Sequence, residues 1–258
     1  MKRYVLGFDL ETGAPFDVTP EKNWITELGA VLWDMTTKTP VKIYNTLVKT
    51  DGKEVSEEAV RYTGITTEQC NKWGLPLEVV VQEFNTLLES ADYIVAHNGR
   101  NFDIPVISNV YNTIGMEPLL LETTTLIDTM TDIPYPANCV NRNLTYLAGF
   151  HLVLNSFPHR AVSDVLTMLT VMSKYDWEET QAIANSPVCK YIAKFDYPTE
   201  RKWGGQFKQK MEEFNKIKDG VKNLGFKWKP DTKQWVLETR EYMTKDMEFP
   251  CPVTIIKD

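Results

Sequence analysis

Five side chains spread along this chain have the types and the order of a site that hydrolyses phosphodiesters with a metal. Two carboxylates, Asp9 and Glu11, stand in Phe8-Asp9-Leu10-Glu11-Thr12. A third, Asp103, closes His97-Asn98-Gly99-Arg100-Asn101-Phe102-Asp103. His159 and Asp164 bracket His159-Arg160-Ala161-Val162-Ser163-Asp164. Hard cations such as Mg²⁺ take oxygen ligands and keep some of their waters. Two such ions about 4 Å apart bind one phosphoryl group, activate the attacking water and stabilise the leaving oxygen. One strand cannot supply enough carboxylates for two ions, so distant segments must converge. An imidazole, with an unperturbed pKa of about 6.5, suits removal of a proton from metal-bound water near neutral pH. Each fragment alone has an ordinary explanation. The Asp-Leu-Glu-Thr run reads as a strand end, His and Asp at this spacing arise by chance, and Asn98 and Asp103 suit a turn and a cap. Their joint occurrence, in this order and with these neighbours, carries the expectation.

The elements that must position these groups follow from hydropathy. Residues 3–9 run apolar as a buried strand does, and residues two apart on a strand share a face, so Asp9 and Glu11 lie side by side at its end. Ile25 to Trp33 and Val41 to Val48 read as two more strands, with Thr36 to Pro40 as the turn. Gly13 to Asn23, with its two prolines, reads as a loop over the site. A short helix begins at Ser56 and stops at Gly64, and Leu77 to Leu88 has helical periodicity. Tyr93 to Ala96 is a short strand, followed by a helix from Phe102 to Ile114. Leu126 to Thr129 reads as a strand end, and Asn143 to Ala148 and Ala161 to Tyr175 as helices. Three meandering strands followed by strands alternating with helices predict an α/β fold, a mixed sheet with helices on its faces.

A chain of 258 residues, 43% hydrophobic and 24% charged, has room for one good core and a small extra module. No apolar run approaches the roughly 20 residues of a membrane span. The basic-then-apolar start is interrupted by Asp9 and Glu11, so it reads as a first strand rather than a signal peptide. Cys70, Cys139, Cys189 and Cys251 form no CxxC pair. They predict reduced thiols in a cytoplasmic protein rather than a zinc site or a disulfide framework. The net charge of −7 is unevenly distributed. Residues 200–240 hold eleven Lys and Arg against six Asp and Glu, so the rest of the chain carries −12. A basic C-terminal module therefore follows an acidic body, and an acidic body suits an enzyme that recruits divalent cations before it holds phosphate.

Taken together, the three motifs resemble those of the DnaQ-like 3′–5′ exonucleases of the DEDDh family, whose fold is ribonuclease-H-like. The resemblance covers roughly residues 4–175. Supporting matches are Glu27-Leu28-Gly29-Ala30-Val31 for the family's second strand, Glu58-Ala59-Val60 and Thr63-Gly64-Ile65-Thr66 for the next helix and turn, and Asn143-Leu144 before the last motif. The resemblance implies a mixed five-stranded sheet flanked by helices. It implies that Asp9, Glu11, Asp103 and Asp164 bind two Mg²⁺ or Mn²⁺ ions and that His159 is the general base. It points to Leu10, Thr12, Leu28, Tyr62, Asn98 and Phe102 as contacts to the 3′-terminal nucleotide, with Asn98 also shaping its loop. Gly13-Ala14-Pro15 departs from the family's usual residues after the first motif, so the resemblance carries over the metal site but not the shape of the pocket for the 3′ end.

The expected division is an exonuclease domain at 1–178, a linker at 179–199 and a small basic α+β module with its tail at 200–258. Lys208 to Lys222 reads as a basic amphipathic helix, and Gly225 to Val236 as a hairpin around Pro230-Asp231. Trp203, Phe207, Phe214, Phe226, Trp228 and Trp235 alternate with lysines, a pattern that serves single strands by stacking and charge. Large aromatics also serve as the core of a small module. Lys222 to Trp235 resembles a small helix-plus-hairpin unit attached to DNA-processing proteins. The reading is a 3′–5′ exonuclease acting on single-stranded DNA in replication or repair and releasing nucleoside monophosphates. Its alternatives are an exoribonuclease, or a proofreading or adaptor subunit docked on a polymerase or other replication protein.

Overall fold

The computed structural model describes residues 3–118 and 123–257. The chain divides into two compact units, Met1–Gln181 and Ala182–Asp258. Among the described residues no helix is long and apolar enough to cross a membrane.

The first unit is built on a five-stranded sheet of order β3-β2-β1-β4-β5. Strands β1 (Tyr4–Thr12), β2 (Ile25–Asp34) and β3 (Thr39–Leu47) form an antiparallel meander. Strands β4 (Tyr93–Ala96) and β5 (Leu126–Asp128) add in parallel beside β1. Around it lie α1 (Glu57–Thr63), α2 (Thr67–Trp73), α3 (Leu77–Leu88), α4 (Asp103–Ile114), α5 (Leu144–Phe150) and α6 (Ala161–Met172). Helix α2 is absent from the sequence reading, although Thr66 and Gln69 cap its start reciprocally, a signal visible as Thr-x-x-Gln.

The period of two in β1 assigns its faces. Leu6, Phe8 and Leu10 join Leu28, Ala30 and Leu32 of β2 in a core packed by α3 (Val80, Val81, Phe84) and α4 (Val106, Ile107, Val110). Burying one such side chain is worth about 1.5–3 kcal/mol, so this face fixes the register. The alternate residues, Gly7, Asp9 and Glu11, face the other way, towards α6. A side-chain carbon on Gly7 would lie 2.8 Å from Leu169, and one on Gly29 only 2.4 Å from the Val162 backbone nitrogen. Both positions are bare so that α6 can lie directly on the sheet. Gly29 pairs with Asp9 across the ladder, so the first turn of α6 comes down beside the first motif.

The second unit has its own four-stranded antiparallel sheet of order β7-β8-β6-β9. Its strands are β6 (Val188–Ala193), β7 (Lys227–Lys229), β8 (Gln234–Arg240) and β9 (Val253–Lys257). Helix α7 (Trp177–Asn185) contains the division between the units, and α8 (Glu200–Trp203) and the 17-residue α9 (Phe207–Asn223) follow. The core is Cys189, Tyr191, Ala193, Val221 and Phe226. The segment read as a linker, 179–199, thus supplies an inner strand of this sheet. Pro187 and Pro198 bound that strand rather than mark loose chain, because its backbone bonds go to β8 on one side and β9 on the other. The Pro-broken tail likewise ends in β9.

Candidate active site

Each acidic residue reaches the site by a different local device. Asp9 and Glu11 project from the α6 side of β1, with Glu11 opposite Glu27 in the ladder. Asp164 sits in the first turn of α6, where a carboxylate also gains from the helix N-terminus. Among the described residues, Asp9, Glu11 and Asp164 each offer an oxygen within 4.8 Å of the others. Asp103, the first residue of α4, is buried and stands behind them. Its Oδ1 accepts the Leu10 backbone N–H at 3.2 Å, between the two residues of the first motif.

A further acid holds the turn that delivers Asp103. Asp128, at the end of β5, accepts the backbone N–H groups of Asn98 (2.9 Å) and Arg100 (3.2 Å). Asn98 adopts φ 62° there, and its Oδ1 accepts from Asn101 Nδ2 at 2.9 Å. Asn98 therefore shapes this corner and does not line the cavity described below.

The loop ahead of α6 fixes Asp164 from both sides. Asn155 Nδ2 donates to one carboxylate oxygen at 2.5 Å, and the His159 backbone N–H donates to the other at 2.9 Å. His159 has a φ of 61°, a left-handed conformation that costs a non-glycine residue free energy and persists where its surroundings enforce it. Beside it, Arg160 pairs with the wholly buried Glu27 (Nη2 to Oε1 2.6 Å, Nε to Oε2 3.1 Å), and the Ala161 N–H adds a bond to Glu27 at 3.0 Å. Glu27 thus ties the start of α6 to β2.

A cavity of about 410 Å³ opens on this cluster. Asp9, Glu11, Asp164 and His159 form its polar wall. Leu10, Thr12, Tyr62 and Phe102 line it as well, together with Phe16, Val18 and Asn23 of the loop after β1. Tyr62 is 55% exposed, and its ring lies 3.9 Å from the His159 ring, centroid to centroid, with Phe16 edge-on at 5.5 Å. Leu28 is elsewhere: it is wholly buried on the α3 and α4 face of the sheet. The same period of two that points Asp9 and Glu11 at α6 points Leu28 into the core.

The electrostatics are those of an anionic pocket short of positive charge. Burial pushes the Asp9 carboxyl well above the carboxylate range, reinforced by Asp103, Glu11 and Asp164. Burial, then Asp164 and Glu27, raises Glu11 to about 8, with Arg160 offsetting part of the rise. Burial raises Asp103 to about 7 against the Leu10 N–H, which favours the ionised form. Asp164 is also raised by burial, less so because Asn155 and His159 bond to it. Like charges in a poorly solvated site cannot all ionise unless a cation joins them. An all-oxygen donor set of this kind fits a hard divalent ion.

Residues 6–172 match the family model of the RNase T-type exonucleases. The chain belongs to this exonuclease family. The fold agrees with that of other members of the DnaQ-like, ribonuclease-H-like group. E. coli exonuclease I crystallised with a dA16 oligonucleotide superposes with a TM-score of 0.59 at 15% identity, covering 74% of this chain and 48% of that one. The chain thus spans about half the length of exonuclease I. The nuclease domain of 3′hExo, described as a DEDDh family member bound to rAMP, gives a TM-score of 0.56 at 14% identity, covering 67% of this chain and 91% of that one. No curated protein sequence matches the chain.

Proposed function

We propose that this chain is a metal-dependent 3′–5′ exonuclease that removes nucleoside monophosphates from the ends of single-stranded DNA. The observation that carries the reading is the convergence of Asp9, Glu11, Asp164 and His159 on one cavity of about 410 Å³. Asp9, Glu11 and Asp164, backed by Asp103, would hold two Mg²⁺ or Mn²⁺ ions, which when bound supply Lewis-acid stabilisation of the phosphoryl oxygens and an acidified water. The remaining work belongs to the chain. His159 takes the proton from the attacking water, on a loop whose backbone is fastened to Asp164. Leu10, Thr12 and Phe102 line the floor for the terminal nucleotide. Tyr62, exposed and tilted against the His159 ring, offers an aromatic face to its base. Arg160 and Glu27 act as positioning residues, because they set the start of α6 and with it the separation of Asp164 from Asp9.

The solved relatives of the fold include exonuclease I bound to dA16 and dT13 oligonucleotides, which favours DNA. The rAMP bound by 3′hExo favours the RNA alternative. The test is digestion of 5′-labelled single-stranded DNA and RNA with Mg²⁺, beside the Asp164→Ala protein. A ladder shortening from the 3′ end, absent in the variant, is the expected result, with DNA cut faster. An intact substrate, or a ladder unchanged in the variant, refutes the site.

A further inference from the structure

The second unit holds a groove of about 1030 Å³, separate from the acidic cavity and assigned no role by the exonuclease family model, which ends at residue 172. Its walls combine aromatic rings and ammonium groups. Tyr197 and Trp228 are 63% and 46% exposed, and Phe214 and Trp235 are half-buried beside them. The rings lie close together: Trp228 to Trp235 at 5.7 Å between centroids, and Tyr197 to Phe214 at 5.1 Å. Register explains the first pair, since Trp228 and Trp235 stand directly opposite each other on β7 and β8.

Lys194, Lys218, Lys222 and Lys233 line the same groove. None of the four has a carboxylate within 4 Å among the described residues. The one acid of the lining, Asp196, is engaged by Lys202 at 3.2 Å. The groove therefore carries net positive charge over exposed aromatic faces. Large rings in a small module are often its core, but here the core is Cys189, Tyr191, Ala193, Val221 and Phe226. Tyr197 and Trp228 are not needed to fill it. A proline-rich peptide would use the rings but leave the four ammonium groups without an anion, since Lys218 donates only to the Asn215 amide oxygen at 3.0 Å and Lys218 and Lys222 lie over the Phe214 and Trp235 rings. A single strand uses both, bases on the rings and phosphates on the lysines.

We propose that this groove binds single-stranded DNA by stacking on Tyr197 and Trp228 and by phosphate contacts to Lys218 and Lys233. As a site in a nuclease, which rests on the reading above, it would raise the effective concentration of substrate on the chain that cleaves it. The test uses the full chain in EDTA, where hydrolysis is silent, with a fluorescein-labelled oligothymidylate read by anisotropy. The combined Tyr197→Ala and Trp228→Ala variant should bind about tenfold or more weakly. The combined Lys218→Glu and Lys233→Glu variant should also bind more weakly, with a salt slope shallower by about 1 to 2. The same charge change at Lys42 and Lys72, outside the groove, should leave binding unchanged. Wild-type affinity in both groove variants overturns the proposal, as does capture of a proline-rich peptide in place of the oligonucleotide. Binding that the groove variants lose supports it even if the wild-type protein cleaves nothing, so the two readings can fail separately.

Discussion

The acidic cavity of the first unit and the basic groove of the second place charge in opposite ways. In the cavity, carboxylates are pressed together in a poorly solvated space, and the fold holds them there against their own repulsion. In the groove, lysines stand at the surface around exposed rings and pay no such penalty. A buried cluster demands positional accuracy, because desolvated charges change energy steeply with distance. A solvated groove tolerates imprecision and loses little with any single residue. The first arrangement is suited to chemistry and the second to holding a polyanion.

The largest expected effect breaks the cavity. Asp164→Ala should lower turnover by about 10³-fold or more, on the scale of losing a group that acts in the transition state. Circular dichroism should show the fold retained. A smaller but still severe effect should come from Gly29→Ala, which removes no catalytic group. Its added carbon would meet the Val162 nitrogen at 2.4 Å, so α6 must shift and take Asp164 with it. Overpacking of this kind costs about 1–3 kcal/mol, to be read as a drop in Tm beside the loss of activity. If activity survives at full strength, the close approach of α6 to β2 is not what sets the site.

Titration sharpens the contrast further. Glu11 and Asp103 hold their protons to about 8 and 7 in the folded protein, above the range of unfolded carboxyls. The folded state then binds more protons than the unfolded one across that interval. In the absence of metal its stability should fall as pH rises from about 4, where unfolded carboxyls ionise, towards 8, and level off above that. Mg²⁺ or Mn²⁺ should restore it, most strongly at the alkaline end, where ligand protons no longer compete. Thermal melts at several pH values, with and without the ion, measure this, and a flat metal-free profile would contradict it. The smallest effect is expected from Asn155→Ala, which frees one oxygen of Asp164 and leaves the other bonded to His159. A loss of about tenfold in turnover, with little change in KM, would mark Asn155 as a positioning residue.

Much of the first unit was legible because its signals are local. The apolar run at residues 3–9, the helical period of Leu77 to Leu88 and the stop at Gly64 each act within a few residues. The carboxylates proposed as metal ligands were legible because their neighbours carry a recognisable pattern. Asn155 and Asp128 were not, since a lone Asn in a loop or Asp at a strand end has no periodicity to betray its target. Glu27 left a faint trace as a charge inside an otherwise apolar strand. Strand β6 was read as linker because its flanking prolines outweighed six residues whose partners lie far along the chain.

The sequence by itself determined the residue types of the site, their order and the hydropathy that makes β1 a strand with Asp9 and Glu11 on one face. Tertiary structure decided which groups meet. It put Leu28 in the core, set Asp103 behind Leu10 rather than in the cavity wall, and gave Asn98 to Asp128. It also left Trp228 and Tyr197 exposed in the second unit while Tyr191 and Phe226 filled its core. The physical reason is that a side chain's face follows from the local period, whereas its partner depends on contacts between segments far apart in sequence, which only the packed fold brings together.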